Sequence, residues 1–185
     1  MKRYDLVCIS VGALTAKEAK VLMDAAKYNV LLYVFDPNPD VQEAYSKTFK
    51  DYANVIISSK AIGSQHGMHD FYLCGQSSSL KSDRDCDKIQ VEVVPLTDII
   101  DNYVNTTHAD KKILLMNCEG SEIDIINNTP LEALETFNII NVEFHHHVSS
   151  ESDIQSCINK LTVKFNESTT YGTVSKNPRY RFERI

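Results

Sequence analysis

The stretch ILLMNCEGSE, residues 113–122, decides how this chain folds. An apolar run typical of a buried strand ends in Asn117 and Glu119, and isoleucines at helical spacing follow. Open α/β sheets bind their ligands beyond the carboxyl ends of their strands. The stretch therefore predicts a strand, a ligand-binding turn and a helix, in that order.

A second strand end lies upstream, in VLLYVFDPNP at residues 30–39. A residue before proline is pushed towards an extended conformation, so we expect Asp36 to be the last residue of this strand. Asn38 is then placed to cap a helix that begins at Pro39. One carboxylate thus stands at each of two strand ends.

Strand-like and helix-like segments alternate along the 185 residues without repeats or low-complexity linkers. This order predicts a single α/β domain over residues 1–185. We expect further strands near residues 4–10, 55–57, 91–94, 139–144, 162–165 and 179–183. Residues 61–80 are expected to form a loop with one short strand at 71–73.

Composition excludes several classes of function. A formal net charge of -6 and an apolar fraction of 43% predict a soluble globular protein that has no electrostatic attraction to nucleic acid or an anionic membrane. Five cysteines without C-x-x-C spacing predict neither a disulfide framework nor a zinc site, so a reduced, cytoplasmic location is expected. The first apolar run is too short for a signal peptide or a membrane span.

Five motifs follow one another along the chain: VFDPNP at 34–39, SSSL at 77–80, VPLTDII at 94–100, NCEGSE at 117–122 and VEFH at 142–145. Together they resemble FkbM-type S-adenosylmethionine-dependent methyltransferases. The resemblance implies a Rossmann-like class I methyltransferase fold, an α/β structure with a mostly parallel seven-stranded central sheet and helices on both faces. It also implies S-adenosylmethionine as cofactor and a methyl acceptor that is usually a hydroxyl, often on a sugar or polyketide.

The chain departs from this family in its first loop. The family motif resembles D-x-G-A-x-x-G, whereas residues 10–16 read SVGALTA. Gly12 is kept where the backbone is expected to approach the cofactor closely. Ser10 replaces the acid and is still able to form a hydrogen bond, but it offers no charge to the methionine ammonium. The motif K-x-D-x-E-G reads LMNCEG at 115–120, so Asn117 replaces a second carboxylate.

The remaining cofactor contacts follow from position along the sheet. We expect Asp36 to accept hydrogen bonds from both ribose hydroxyls, as acids do in dinucleotide-binding folds. Ala61 and Ile62 are small and apolar enough to cover an adenine ring, although they suit an ordinary core equally well. Asn117 is expected beside the sulfonium end. Given the resemblance, Ser78 and its neighbours are expected to hold the cofactor carboxylate or the acceptor.

Three adjacent histidines, residues 145–147, follow the VEF strand. An unperturbed imidazole titrates near neutrality, so we expect His145 to be the general base that takes a proton from the acceptor hydroxyl. Glu119 is the second candidate. Adjacent residues of an extended chain point to opposite sides, so at most His145 and His147 share one face, and such a pair is weak evidence for a metal site. A metal held by Glu119, Glu143 and His145, with Glu143 on the same face as His145, is therefore a weaker alternative. We therefore expect no metal.

Three functions are consistent with these patterns. The first is an O-methyltransferase acting on a hydroxyl of a sugar, a glycan or a similar small metabolite. The second is a relative that binds the cofactor but is inactive and acts as an interaction protein, as Ser10, Ala16 and Asn117 suggest. The third, a nicotinamide-dependent oxidoreductase, also needs an acid after the second strand but lacks the G-x-G-x-x-G loop. The sequence favours the first.

Overall fold

The structure, a computed structural model, describes residues 3–12, 15–25, 29–81, 85–171, 177 and 179–185. In chain order its elements are β1 (Tyr4–Val11), α1 (Ala16–Ala25), β2 (Val30–Phe35), α2 (Pro39–Thr48), β3 (Val55–Ser58), β4 (Ala61–Gly63), β5 (Gly67–Leu73), β6 (Asp87–Pro95), α3 (Leu96–Ile99), β7 (Ala109–Met116), α4 (Glu122–Asn128), α5 (Leu131–Leu134), β8 (Ile139–Glu143), α6 (Glu151–Thr162), β9 (Phe165–Tyr171) and β10 (Arg179–Arg184). A 3-10 turn, Gly75–Ser77, follows β5, and a π-helical turn, Ile100–Val104, continues α3.

The main sheet has seven strands in the order β3-β2-β1-β7-β8-β10-β9. Its first five strands are parallel, and β10 runs antiparallel to both β8 and β9. The predicted mostly parallel seven-stranded sheet is therefore confirmed. The strand order reverses at β1, whose neighbours are β2 and β7, and a crevice opens at such a switch point beyond the strand ends.

Side chains of β1 alternate between two cores, because successive residues of a strand face opposite sides of the sheet. Val7 and Ile9 belong to the larger core, which also holds side chains of α3, α4 and α6. Cys8 belongs to a smaller core built with α1 and α2. Helices thus cover both faces, as predicted.

The turn between β2 and α2 matches its prediction closely. Pro39 is the first residue of α2, and the side chain of Asn38 caps the helix by accepting a hydrogen bond from the backbone N–H of Asp40 at 3.0 Å. The strand ends at Phe35, one residue earlier than predicted.

A second sheet was not predicted. It has three strands in the order β4-β6-β5, so part of the expected loop at 61–80 forms strands, and the short strand predicted at 71–73 is the end of β5. Strand β5 pairs with β6 over Gly67–Leu73, but its first three residues are exposed and show no apolar alternation. The strand predicted near 162–165 begins only at Phe165, because α6 continues to Thr162 and keeps Leu161 in the core.

The expectation of reduced cysteines is wrong for one pair. Cys74 and Cys86 form a disulfide, whereas Cys8, Cys118 and Cys157 are free thiols. The pair lies one residue beyond the last register match of the β5–β6 hairpin, Leu73 with Asp87, which brings its Cα atoms to 5.5 Å. The cytoplasmic expectation rested on unpaired cysteines and loses that support. Within the described ranges, no helix has the length and apolarity needed to cross a membrane.

Candidate active site

A crevice with a cavity of about 770 Å³ lies beyond the carboxyl ends of β1, β2 and β7, with the second sheet as its opposite wall. Most of the predicted site residues line it, and only Ser10 and His145 do not. The residues brought together here are Gly12, Asp36, Asn38, Ala61, Ile62, Ser78, Asn117 and Glu119.

The β2 end of the crevice is built from local contacts. The carboxylate of Asp36 accepts a hydrogen bond from the backbone N–H of Asn38 at 2.9 Å. Gln42 on α2 donates to the carbonyl oxygens of Asp36 and Ser58, which joins the ends of β2 and β3. The Asp36 carboxylate is therefore fixed at the wall of the crevice.

Ser78 connects this end to the loop after β5. Its hydroxyl donates to the carbonyl of Gly75 at 2.7 Å and accepts from the backbone N–H of Cys74 at 3.0 Å. The side-chain amide of Asn38 also donates to it, at 3.3 Å. Ser78 lines the crevice, but its hydroxyl already has three partners within the protein, so its main effect is to hold the loop against α2.

Ser10 and Gly12 each have a structural role in the first loop. The Ser10 hydroxyl is buried and donates to the carbonyl of Gly12 at 2.9 Å, so it stabilises the loop and does not reach the crevice. Gly12 has a φ of 72°, and a Cβ there would lie 1.8 Å from the carbonyl oxygen of Asn117. The close approach that requires glycine is thus to the end of β7.

The turn after β7 is held from inside the protein. Glu119 has a φ of 53° and Gly120 a φ of 104°, and a Cβ on Gly120 would lie 2.2 Å from Val148. Glu122 is fully buried and accepts hydrogen bonds from the backbone N–H groups of Cys118 at 2.8 Å and Gly120 at 2.9 Å. Sequence reasoning assigned no role to Glu122. The feature of the sequence that indicates such a role is an acidic residue placed among isoleucines at the start of a helix.

His145 is not placed to act as a general base. It is buried, and its Nδ1 lies 2.9 Å from Glu122 while its Nε2 lies 3.2 Å from Glu119. The first contact is an aligned hydrogen bond, and the second is an ion-pair contact without that alignment. Burial lowers the pKa of His145, but the two carboxylates outweigh it and raise the pKa to about 10. The imidazole is therefore already protonated at neutral pH, which contradicts the predicted role.

Asn117 and Cys118, at the same turn, both line the crevice. The side-chain Oδ1 of Asn117 is buried without a hydrogen-bond partner among the described residues. Burial, reinforced by the charge of Glu122, raises the pKa of the Cys118 thiol well above its usual value. Cys118 is thus a neutral thiol and not a nucleophile.

The weaker alternative of a metal site finds no support in the geometry. Glu143 pairs with Arg179 at 2.6 Å and does not join Glu119 and His145. In the part of the chain that the structure describes, no group of three or more histidine, cysteine or acidic residues is arranged to hold a metal.

A comparison with models of protein families shows which family the chain belongs to. The family model of the methyltransferase FkbM domain matches residues 10–167, which include all ten predicted site residues. No curated protein sequence matches the chain.

Solved methyltransferase structures share the fold. The FkbM methyltransferase of Methylobacillus flagellatus KT superposes with a TM-score of 0.63 at 14% identity, covering 97% of this chain and 43% of that one. A fibrillarin pre-rRNA processing protein of Methanococcus jannaschii gives 0.56 at 9% identity, covering 98% and 67%. Aeropyrum pernix fibrillarin, solved with natively bound S-adenosyl-L-methionine, gives 0.55 at 7% identity, covering 97% and 67%. This chain thus spans less than half the length of that FkbM methyltransferase.

Proposed function

The chain belongs to the FkbM methyltransferase family, and we propose that it transfers the methyl group of S-adenosylmethionine to a hydroxyl of a sugar, a glycan or a similar metabolite. One observation carries this proposal: a single crevice joins the carboxylate of Asp36 to the unpartnered Oδ1 of Asn117, with Glu119 beside it. The first is suited to a ribose and the second to an ammonium group.

The residues of the crevice fit this cofactor. Asp36 would accept hydrogen bonds from the ribose hydroxyls, and Asn117 Oδ1 would accept one from the methionine ammonium. Ala61, Ile62 and Phe71 give an apolar wall for the adenine ring. When bound, S-adenosylmethionine supplies a methyl group on a cationic sulfur, which leaves as a neutral thioether.

Glu119 is the group best placed to serve an acceptor hydroxyl. Methylation of a hydroxyl would release the hydroxyl proton, which must pass to a base of the protein. His145 cannot take it, because its imidazole is already protonated. The carboxylate of Glu119 lines the crevice, is 18% exposed and accepts protons, so we assign the role to it.

Charge favours a small acceptor over RNA. Among the described residues that line the crevice, Arg179 is the sole cation, and it is paired with Glu143, whereas Asp36, Asp40 and Glu119 are acidic. A site for a phosphate backbone would need several unpaired basic side chains.

One observation supports the alternative that the protein binds the cofactor but is inactive. Ser10 stands where the family has an acid, and its hydroxyl is turned to Gly12 and not to the crevice. Such a protein would bind the cofactor without turnover, so binding and transfer must be measured separately. The oxidoreductase reading is not proposed, because the chain belongs to a methyltransferase family and its first loop lacks the dinucleotide glycines.

The test combines binding and transfer. Thermal shift with S-adenosylmethionine, S-adenosylhomocysteine and NAD should show stabilisation by the first two only. Methyl-labelled S-adenosylmethionine is then offered to separate panels of monosaccharides and oligosaccharides, an RNA transcript and a peptide mixture. Label in a base-stable sugar ether supports the proposal. Label only in RNA or peptide overturns the acceptor class, and binding without any transfer favours the inactive relative.

A further inference from the structure

We infer that Glu122 and His145 are positioning residues that together hold Asn117 and Glu119 in place at the methyl end of the crevice. The name of that end rests on the proposed function, whereas the contacts that define the pair do not. Neither residue lines the crevice, so each acts through others.

Glu122 uses both of its carboxylate oxygens to fix the turn. Oε1 accepts from the backbone N–H of Cys118 and contacts His145 Nδ1, and Oε2 accepts from the backbone N–H of Gly120. The first amide belongs to the peptide that joins Asn117 to Cys118, and the two amides flank Glu119, so one buried carboxylate sets the direction of both Asn117 and Glu119. A buried carboxylate is retained only when its charge and lone pairs are matched, and here they are.

Glu119 needs this support because its backbone is unfavourable. A left-handed conformation is unfavourable for a residue with a side chain, so it persists only where surrounding contacts impose it. The hydroxyl of Ser79 lies 2.9 Å from the Glu119 carbonyl oxygen, and His145 Nε2 lies 3.2 Å from Glu119 Oε1. Oε2 has His147 Nε2 3.9 Å away, beyond hydrogen-bond distance. The carboxylate is thus anchored through one oxygen.

The position of the His145 ring between two carboxylates also favours its protonated, charged form. A neutral imidazole carries a proton on one nitrogen only, so it would turn a lone pair towards one of the two carboxylates. An imidazolium donates to Glu122, turns a second N–H towards Glu119, and places one positive charge between the two carboxylates. The groups facing the ring are Glu119, Glu122 and the ring of His147, whose centroid is 5.7 Å away.

The pair predicts a definite pH dependence. Because the pKa of His145 is raised to about 10, its protonated form is favoured by folding. Its stabilising contribution is therefore complete below the unfolded pKa of about 6.5 and is lost progressively as pH rises towards the folded pKa.

A spectroscopic test needs neither cofactor nor acceptor. Ring nitrogens of ¹⁵N-histidine-labelled protein are followed by NMR from pH 6 to 10, and the signals of His145 are assigned by their loss in His145→Gln. We expect both nitrogens of His145 to remain protonated through pH 8. A His145 that titrates near neutrality, or that holds one proton at pH 7, overturns the inference.

A binding test asks whether the pair positions the crevice. Affinity for S-adenosylhomocysteine is measured by calorimetry for Glu122→Gln and His145→Gln, with His146→Gln as the matched control. We expect a roughly 10–100-fold loss for the first two, the usual result of displacing a binding group by about 1 Å, and no change for the control. The amide NMR signals of Cys118 and Gly120 should shift in Glu122→Gln.

The two tests separate the possible failures. Folded variants that bind like the wild type and keep those amide signals overturn the positioning role. A wild type that does not bind S-adenosylhomocysteine overturns the proposed function, while the ring-nitrogen titration still decides the state of the pair. If the variants do not fold, that titration of the wild type remains the deciding result.

Discussion

The two strand ends that form the crevice are held in different ways. After β2, the Asp36 carboxylate and the helix cap join near neighbours, Asp36 with Asn38 and Asn38 with Asp40, and the bond from Asn38 to Ser78, 40 residues away, is long at 3.3 Å. After β7, Glu122 contacts His145 from 23 residues away and Ser79 reaches Glu119 from 40. The helix cap after β2 follows from the local sequence, whereas the buried ion pair after β7 requires the assembled fold.

The difference extends to burial. Glu122 and His145 have side chains that are 0% and 1% exposed, so changing either leaves an uncompensated group in the interior. After β2, Asp36 is only partly buried and lines the open crevice, where water replaces a lost partner, whereas Asn38 is buried but uncharged. Substitutions at the methyl end should therefore have the larger effects.

Glu119→Gln should give the largest effect. It keeps the size of the side chain but removes the base, so turnover should fall by roughly 10²–10⁴-fold, the usual scale of general-base catalysis. Single-turnover transfer to the sugar identified with labelled methyl measures it, and S-adenosylhomocysteine affinity should stay within a few fold. Near-normal turnover would show that no base is needed at this end.

Glu122→Gln should destabilise the fold by about 3–5 kcal/mol, because the His145 imidazolium loses a buried charged partner. Urea unfolding at pH 7 measures this change in the free energy of unfolding. Exposed Glu132→Gln is the matched control and should change it by less than about 0.5 kcal/mol. A cost for Glu122→Gln as small as that of the control would remove the contrast between the two ends.

Asp36→Ala should weaken S-adenosylhomocysteine binding by roughly 1.5–3 kcal/mol, the value of lost hydrogen bonds to a charged group. Calorimetry measures the affinity. Asp36→Asn is the companion variant, because it keeps an oxygen for the Asn38 backbone N–H while it removes the charge. Unchanged affinity in both would show that the ribose lies elsewhere.

Asn38→Ala should have the smallest effect, a loss of about 1 kcal/mol of stability, because it removes one helix cap at the open edge. Thermal or urea unfolding measures it. A loss as large as that of Glu122→Gln would mean that the β2 end depends on the assembled fold as strongly as the β7 end does.

Sequence reasoning succeeded where local chemistry decides the structure. The cap at Asn38 and the helix start at Pro39 follow from spacing and residue type within a few positions. It also brought together most of the crevice lining, because polar residues at the ends of parallel strands meet at one edge.

It failed where distant residues decide the chemistry. The role of His145 was inferred from the ordinary pKa of an imidazole, and nothing near it in sequence shows that two carboxylates enclose it. Gly12 was matched to a ligand, although it accommodates the backbone of Asn117. The Cys74–Cys86 disulfide depends on a hairpin register whose exposed strand carries little apolar signal.

A crystal structure with S-adenosylhomocysteine bound tests the account most directly. We predict ribose hydroxyls within hydrogen-bond distance of the Asp36 carboxylate, the amino group at Asn117 Oδ1, and the sulfur facing Glu119, with the Glu122–His145 contact retained. A nucleoside bound away from Asp36, or a β7 turn that opens and separates Glu122 from His145 when the ligand binds, would contradict it.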